Sequence, residues 1–252
     1  MKKIGVIGGG ILGLSIAHAL VLTNKYKVHL FEKENEIGKH QSSNNSGVLH
    51  CGLYYKPGSL KADLAVNGIR EMISFCKKHK IDHDICGKLV VASNENEIKS
   101  LENLAHRGEL NGLKGLKFLN KSELSKREPN VLASKSLLVP EEGIVDYRQV
   151  MNKLLEIIMD NRGKIHLNSK IKKVINKNNS ITVFSNENEI NFDKIINCTG
   201  LFSDRTYNFI TNKKRPLRII PFRGEYMKIK SEYNDIINHL IYPVPDSKYP
   251  FL

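Results

Sequence analysis

Only four cysteines occur in 252 residues, Cys51, Cys76, Cys86 and Cys198, and none of their spacings is that of a CxxC pair or a metal site. A disulfide framework and a structural metal are therefore not expected, and the thiols read as free ones in a reducing compartment. Acidic residues are also few: 26 Asp and Glu against 39 Lys and Arg leave a formal net charge of +13. Such an excess invites a nucleic-acid reading. The lysines, however, are scattered along the whole chain, with no arginine-rich run, no basic stripe interleaved with aromatics and no RNA-binding signature. Nucleic acid is not expected as a partner, while peripheral attraction to the anionic inner face of a plasma membrane stays open. Beyond residue 23 no apolar run approaches the length that spans a bilayer. The opening run, behind Lys2 and Lys3, has the charge pattern of a signal peptide, but three consecutive glycines would break such a helix and no small-residue cleavage site follows. A soluble, cytoplasmic chain is the expectation.

What is present is concentrated between Ile4 and Glu32. An apolar strand, Ile4 to Ile7, runs into Gly8-x-Gly10-x-x-Gly13, continues as an Ala/Leu/Ile helix and returns as a second strand ending on Glu32. This is the βαβ unit that binds dinucleotides. Each residue type has a physical reason. Gly8 permits the tight turn, Gly10 lets the backbone approach a pyrophosphate, and Gly13 lets the helix pack close to the strand. The helix start, with Ile11 and Leu12, turns free N–H groups and a partial positive charge toward the phosphates. Glu32 is placed to accept from a ribose diol and to repel a 2′-phosphate.

The rest of the chain is organised around that unit. A segment dense in Ser, Asn, Gly, His and Tyr follows (His40 to Ala65), a composition suited to a loop that touches a ligand. Periodicity predicts an amphipathic helix over Lys61–His79, with Leu64, Ile69, Ile73 and Cys76 on its inner side. It predicts further helices over Glu95–Asn111, Lys121–Arg127 and Asp146–Asn161, the last capped by Asp146 and closed by Gly163. Strands are expected at Lys88–Ser93, Leu137–Pro140, Lys164–Leu167, Lys170–Ile175, Ser180–Ser185 and Glu189–Asn191, with a hairpin turn across Asn176–Ser180. Phe192–Cys198 reads as a buried strand that leads into Thr199-Gly200. The expected fold class is α/β: a Rossmann-like parallel-sheet domain over residues 1–86 and 146–211, interrupted by an antiparallel-sheet domain over 87–145 and 212–252. His79, His83, His106 and His166 lack a functional context and read as surface residues.

Five blocks carry a family resemblance: GGGILG at Gly8–Gly13, HQSSNNSGVLHCGLYYKPGSLKA at His40–Ala62, INCTGLFSDR at Ile196–Arg205, PFRGEY at Pro221–Tyr226 and IYPVPD at Ile241–Asp246. The chain resembles the FAD-dependent L-2-hydroxyglutarate oxidases and dehydrogenases, within the D-amino-acid oxidase and glycerol-3-phosphate dehydrogenase fold superfamily. The resemblance runs from Met1 to Leu252. The family pattern continues past this point with a Gly-Val-His stretch and a Gly-rich flavin-contacting segment, so the chain is expected to be a fragment or a truncated protein.

The resemblance implies FAD as cofactor, in a glutathione-reductase-type domain, and a small 2-hydroxy acid as substrate, with electrons passed to oxygen or to a quinone of a respiratory chain. It puts the pyrophosphate on Gly8, Gly10 and Gly13, the adenosine ribose on Glu32 with Lys33, and the ribityl chain and ring edge against Gln41, Ser42, Asn45, Ser46 and Gly47. Ile171 would meet the adenine with its backbone. Thr199 and Gly200 would form the small turn at the carboxyl edge of the sheet. Asp204 either caps the helix that follows or bonds near the cofactor. For catalysis the resemblance points to His50 as general base and to Arg223 as the fork for a substrate carboxylate, with Tyr55 and Lys56 as further polar contacts. Oxidation of another 2-hydroxy acid, an amino acid or glycerol-3-phosphate, or an inactive flavin-binding module, are the alternatives.

Overall fold

The computed structural model describes residues 1–177, 180–186, 189–211, 213–214 and 216–245. The centre of the Asn176–Ser180 turn and the Asp246 end of the IYPVPD block lie outside the described residues.

The chain opens with β1 (Lys2–Ile7), α1 (Ile11–Leu22) and β2 (Tyr26–Phe31). α1 buries Gly13, Leu14, Ala17 and Val21, which helical spacing brings to one face. Left-handed Asn24, at φ 54°, then turns the chain into β2. Next come β3 (Val48–Leu49), α2 (Leu60–His79), β4 (His83–Asp84), β5 (Lys88–Ala92), α3 (Glu95–Leu110), β6 (Lys117–Asn120), α4 (Lys121–Arg127), β7 (Lys135–Val139) and β8 (Gly143–Val145). Side-chain caps set the starts of these helices: Ser59 accepts from Ala62 N–H, Asn94 from Glu97 N–H, and Asn120 and Glu123 form a reciprocal capping box. The chain then runs through α5 (Tyr147–Asp160), β9 (Lys164–His166), β10 (Lys173–Lys177), β11 (Ser180–Phe184), β12 (Glu189–Phe192), β13 (Lys194–Asn197), α6 (Ser203–Thr211) and β14 (Leu240–Pro243).

Two compact units result, one of residues 1–46 and 147–225, the other of 47–146 and 226–252. Residues 47–86, read from the sequence with the nucleotide domain, cluster with the second unit because β3 and β4 both pair with β8 and Arg70 pairs with Glu141. The first unit holds a parallel sheet in the order β13-β1-β2-β9 and an antiparallel sheet β10-β11-β12. Phe31, Val183 and Phe192 centre a core with Ile171, Val174, Ile181, Ile190 and Ile195 around them. Each such apolar side chain contributes roughly 1.5–3 kcal/mol on full burial. The second unit holds the sheet β14-β5-β7-β6, parallel at β14–β5 and antiparallel elsewhere, and a small antiparallel sheet β3-β8-β4.

Three expectations are corrected. On α2 the inward face is Ala62, Val66, Ile69 and Cys76, while Leu64 is 63% exposed. Leu64 lies about 140° from Ile69 around a helix of 3.6 residues per turn, so both cannot face the core. The strand expected over Phe192–Cys198 is two: Phe192 ends β12, and Asp193 binds the Lys3 backbone before β13 begins at Lys194. His166 is no surface residue. Its Nε2 lies 2.9 Å from His29 Nδ1, the two rings stack at 5.2 Å, and His166 also stacks on Phe31 at 4.6 Å. Among the described residues no helix is long and apolar enough to cross a membrane.

Burial, then the charges of Lys3, His166 and Lys164, push the His29 imidazole down to about 4. An unfolded histidine titrates near 6.5, so between those values the unfolded chain binds more protons than the native one, and stability falls as pH falls through that window. The expected outcome is a thermal midpoint that drops between about pH 6.5 and pH 4, and drops less steeply in His29→Leu; parallel slopes in the two proteins would show that His29 carries no proton linkage.

Candidate functional site

At the carboxyl ends of the parallel strands the first unit opens a cavity of about 720 Å³. Ile7 and Gly8 after β1, Phe31 and Glu32 after β2, and Cys198 and Thr199 after β13 all line it, the position where open α/β sheets bind ligands. Its geometry follows from the glycines. Gly8 sits at φ +111°, and a Cβ there would stand 2.3 Å from the Cys198 carbonyl oxygen. A Cβ on Gly13 would stand 1.9 Å from the Gly8 oxygen and 3.3 Å from Cys198 Cβ. α1 therefore begins hard against the strand ends. A Cβ on Gly10 would meet only Ser42 Oγ, at 3.0 Å, so there the missing side chain leaves space for a ligand instead of room for packing.

The loop's donors are partly held by the protein. Gly9 N–H donates to Glu32 Oε2 at 2.7 Å, Ile11 N–H to Ser42 Oγ at 3.0 Å, and the other Glu32 oxygen accepts from Glu34 N–H at 3.0 Å. The N–H groups of Gly10 and Leu12 have no protein acceptor among the described residues. They stand at a helix N-terminus, where an anion is the complementary ligand. Lys33, Lys39, Lys170, Lys172 and Arg205 also line the cavity, with Glu32 as their counter-charge. Free donors, an unfilled approach at Gly10 and a cationic rim fit a dinucleotide pyrophosphate.

Of the residues anticipated for the cofactor, Gly8, Gly10, Ile11, Leu12, Glu32, Lys33, Gln41, Ser42, Ile171, Thr199 and Gly200 line this cavity. Gly13 acts behind it through packing. Asn45 lies outside the lining, with its amide spent on the Gln41 and Ser42 carbonyls, and exposed Ser46 is likewise outside it. Gly47 belongs to the second unit, where its carbonyl accepts from Val145 N–H. Asp204 is buried and accepts from the Arg205 and Ile219 N–H groups, a backbone role outside the lining. The sequence reading missed Lys39, His40, Lys170, Lys172, Phe202 and Arg205. Lys170 and Lys172 flank Ile171, and that pairing of cations around an anticipated contact was the available signal.

The second unit has its own pocket, of about 710 Å³, lined by His50, Tyr54, Tyr55, Arg107, Glu142 and Tyr242 among others. Beneath it lies an ion pair that sequence reasoning did not foresee. Lys88 Nζ stands 2.7 Å from Glu142 Oε2, both side chains are fully buried, and the ammonium sits 4.4 Å from the Tyr54 ring centroid and 5.1 Å from that of Tyr242. The contact is at ion-pair distance without hydrogen-bond alignment. Glu142 Oε1 accepts from Cys51 N–H at 3.2 Å and from its thiol at 3.1 Å, and His50 Nδ1 lies 3.7 Å from Oε2. Burial pushes the Glu142 carboxyl up, but His50, Lys88 and Cys51 together outweigh it and hold the group down at about 2. Burial, then Glu142, pushes the Cys51 thiol and the Tyr54 phenol up, so both stay protonated.

The anticipated catalytic residues separate. His50 and Tyr55 line this pocket. Lys56 is exposed in the turn before α2, its carbonyl accepting from Ser59, and is not part of the lining. Arg223 is 86% exposed, with Glu225 of its own unit at 3.5 Å.

The chain is 42% identical over 248 residues to an L-2-hydroxyglutarate dehydrogenase of Indibacter alkaliphilus, covering 98% of this chain and 62% of that protein. It is 38% identical to the Escherichia coli K12 protein of that name, covering 98% and 58%, and 37% identical to the human mitochondrial one, covering 98% and 56%. The chain thus spans about 60% of the length of these curated relatives. In fold it is similar to an FAD-bound L-α-glycerophosphate oxidase of Mycoplasma pneumoniae, at TM-score 0.78 and 23% identity over 97% of this chain and 66% of that one. The model of the FAD dependent oxidoreductase family matches residues 3–252, and the chain that builds the glycine-lined cavity above belongs to that family.

Proposed function

We propose that the chain binds FAD in the cavity of the first unit and oxidises L-2-hydroxyglutarate to 2-oxoglutarate, with the substrate taken up by the pocket of the second unit. The observation that carries the cofactor assignment is the glycine cradle at Gly8, Gly10 and Gly13 with its free N–H groups and cationic rim. Relatives at 37–42% identity bearing the L-2-hydroxyglutarate dehydrogenase name support the substrate. Glu32 keeps lone pairs for a ribose diol, and Ile171, between Lys170 and Lys172, offers backbone to an adenine. Bound flavin supplies the two-electron acceptor that no side chain provides. His50 removes the hydroxyl proton as the C2 hydride leaves, and Tyr55 contributes a polar contact in the same pocket. Cys51 and Tyr54, both kept protonated, hydrogen-bond or pack without acting as nucleophiles. Electrons pass on to oxygen or a quinone, and the charge of +13 supports a peripheral seat on an anionic membrane face.

The deciding experiment is anaerobic mixing of the flavin-loaded protein with L-2-hydroxyglutarate: the yellow absorbance should bleach, with one 2-oxoglutarate formed per flavin. A protein that carries no flavin, or whose flavin is bleached only by amino acids or glycerol-3-phosphate, sinks the reading. His50→Asn should slow this reduction by on the order of 10²–10⁴ while flavin content stays unchanged. The two glycines separate packing from binding. Gly10→Val should retain the fold and lose the flavin, because its side chain enters the space of the pyrophosphate. Gly13→Val should instead fail to accumulate as folded protein, because its Cβ alone collides with the Gly8 carbonyl. Circular dichroism and flavin absorbance of the two variants distinguish these outcomes.

A further inference from the structure

Arg107 is an arginine that lines a pocket and, among the described residues, has no acidic partner. It lies on α3 and lines the second unit's pocket together with Ser100 and Asn103, residues that spacings of three and four bring to one helix face. Among the described residues no carboxylate lies within ion-pair distance of it. Arg70 in the same unit shows the contrast: its guanidinium forks onto Glu141, with contacts of 2.9 and 3.3 Å from Nη2 and 3.1 Å from Nε. Among the described residues of the pocket lining the only carboxylate is Glu142, which is fully buried and paired with Lys88. Among the described residues of the lining, the uncompensated formal charge is therefore the guanidinium of Arg107.

The backbone around that guanidinium is fixed. Arg107 Nη1 donates to the Tyr54 carbonyl at 3.1 Å, and Asn111, one turn on, donates to the carbonyls of Gly52 and Tyr55 at 3.1 and 3.0 Å. Gly108 permits the approach, since a Cβ there would come within 2.8 Å of Leu53 Cδ1. One guanidinium nitrogen thus anchors the head on the loop that carries Tyr54 and Tyr55, and the remaining N–H donors have no acceptor among the described residues. A pre-oriented fork with free donors matches a carboxylate bidentately.

We propose that Arg107 binds the second carboxylate of a dicarboxylic 2-hydroxy acid, the one remote from the oxidised carbon, and so sets the preference for dicarboxylates over monocarboxylates. The assignment rests on the proposed oxidation of L-2-hydroxyglutarate in this pocket, and it moves the carboxylate contact from Arg223 to α3.

The test compares L-2-hydroxyglutarate with its monocarboxylate analogue L-2-hydroxybutyrate in anaerobic flavin reduction by the flavin-loaded protein. Arg107→Met should raise the half-saturating concentration of the dicarboxylate on the order of 10- to 100-fold, the loss of one charge-assisted contact, with little change for the monocarboxylate and in the limiting rate. Asn111→Ala, which loosens the same loop without removing charge, should leave the ratio between the two substrates unaltered. Equal losses on both substrates in Arg107→Met, or none, would overturn the assignment to Arg107. If the wild-type protein reduces its flavin with neither acid, the proposed oxidation itself fails. Calorimetric titration with glutarate and butyrate, which needs no turnover, then still reads Arg107: selective weakening of glutarate in Arg107→Met supports the site, and unchanged glutarate binding rejects it.

Discussion

The contact of α1 with the strand ends, where Gly13 lies against the Gly8 carbonyl and Gly8 against Cys198, is the constraint on which the first unit depends. A helix is normally held away from the elements it packs on by the side chains between them. Here the side chains are deleted at the points of contact, so backbone meets backbone. That close approach does two things at once. It seats Leu14, Ala17 and Val21 in the core, and it aims the first N–H groups of the helix into the cavity at the sheet edge. Packing and anion binding share the same atoms, which is why Gly13 and Gly10, three residues apart, have opposite structural duties.

The second unit is organised around a different kind of contact. Lys88 and Glu142 are wholly buried, and two charges removed from water lose several kcal/mol of hydration apiece unless they are paired. The pairing is tight, two aromatic rings flank the ammonium, and Cys51 supplies two donors to the carboxylate. Such a pair adds little net stability compared with apolar residues of similar size. Its consequence is local: the anion below His50 is fixed and paired, which leaves Arg107 as the formal charge without an ion-pair partner among the described residues of the lining.

Local signals in the sequence account for most of the helices. Lys121–Arg127 coincides with α4 because a capping box and the Glu128-Pro129 break are both written in neighbouring residues. α2, α3 and α5 were placed within about one residue for the same reason, that caps and periodicity act over one or two turns. β3, β4 and β8 could not be read, since two or three residues have no period and their pairing is decided by a partner at least 60 residues away. The assignment of residues 47–86 to a unit failed to be legible for that same reason.

Residue chemistry along the chain determined the βαβ unit, the identity of the three glycines that shape it, Glu32 as its acidic terminus, and the resemblance that named FAD and a 2-hydroxy acid. All of these are properties of contiguous residues, whose spacing fixes their geometry once helix and strand are assigned. Only the tertiary structure decided that Lys170 and Lys172 reach the cavity of the first unit, that Lys88 finds Glu142 across 54 positions of sequence, and that Arg107, with no ion-pair partner among the described residues, lines a pocket while Arg223 does not. Burial and charge pairing depend on which distant residues share a few ångströms, and no local pattern of residue types encodes that distance.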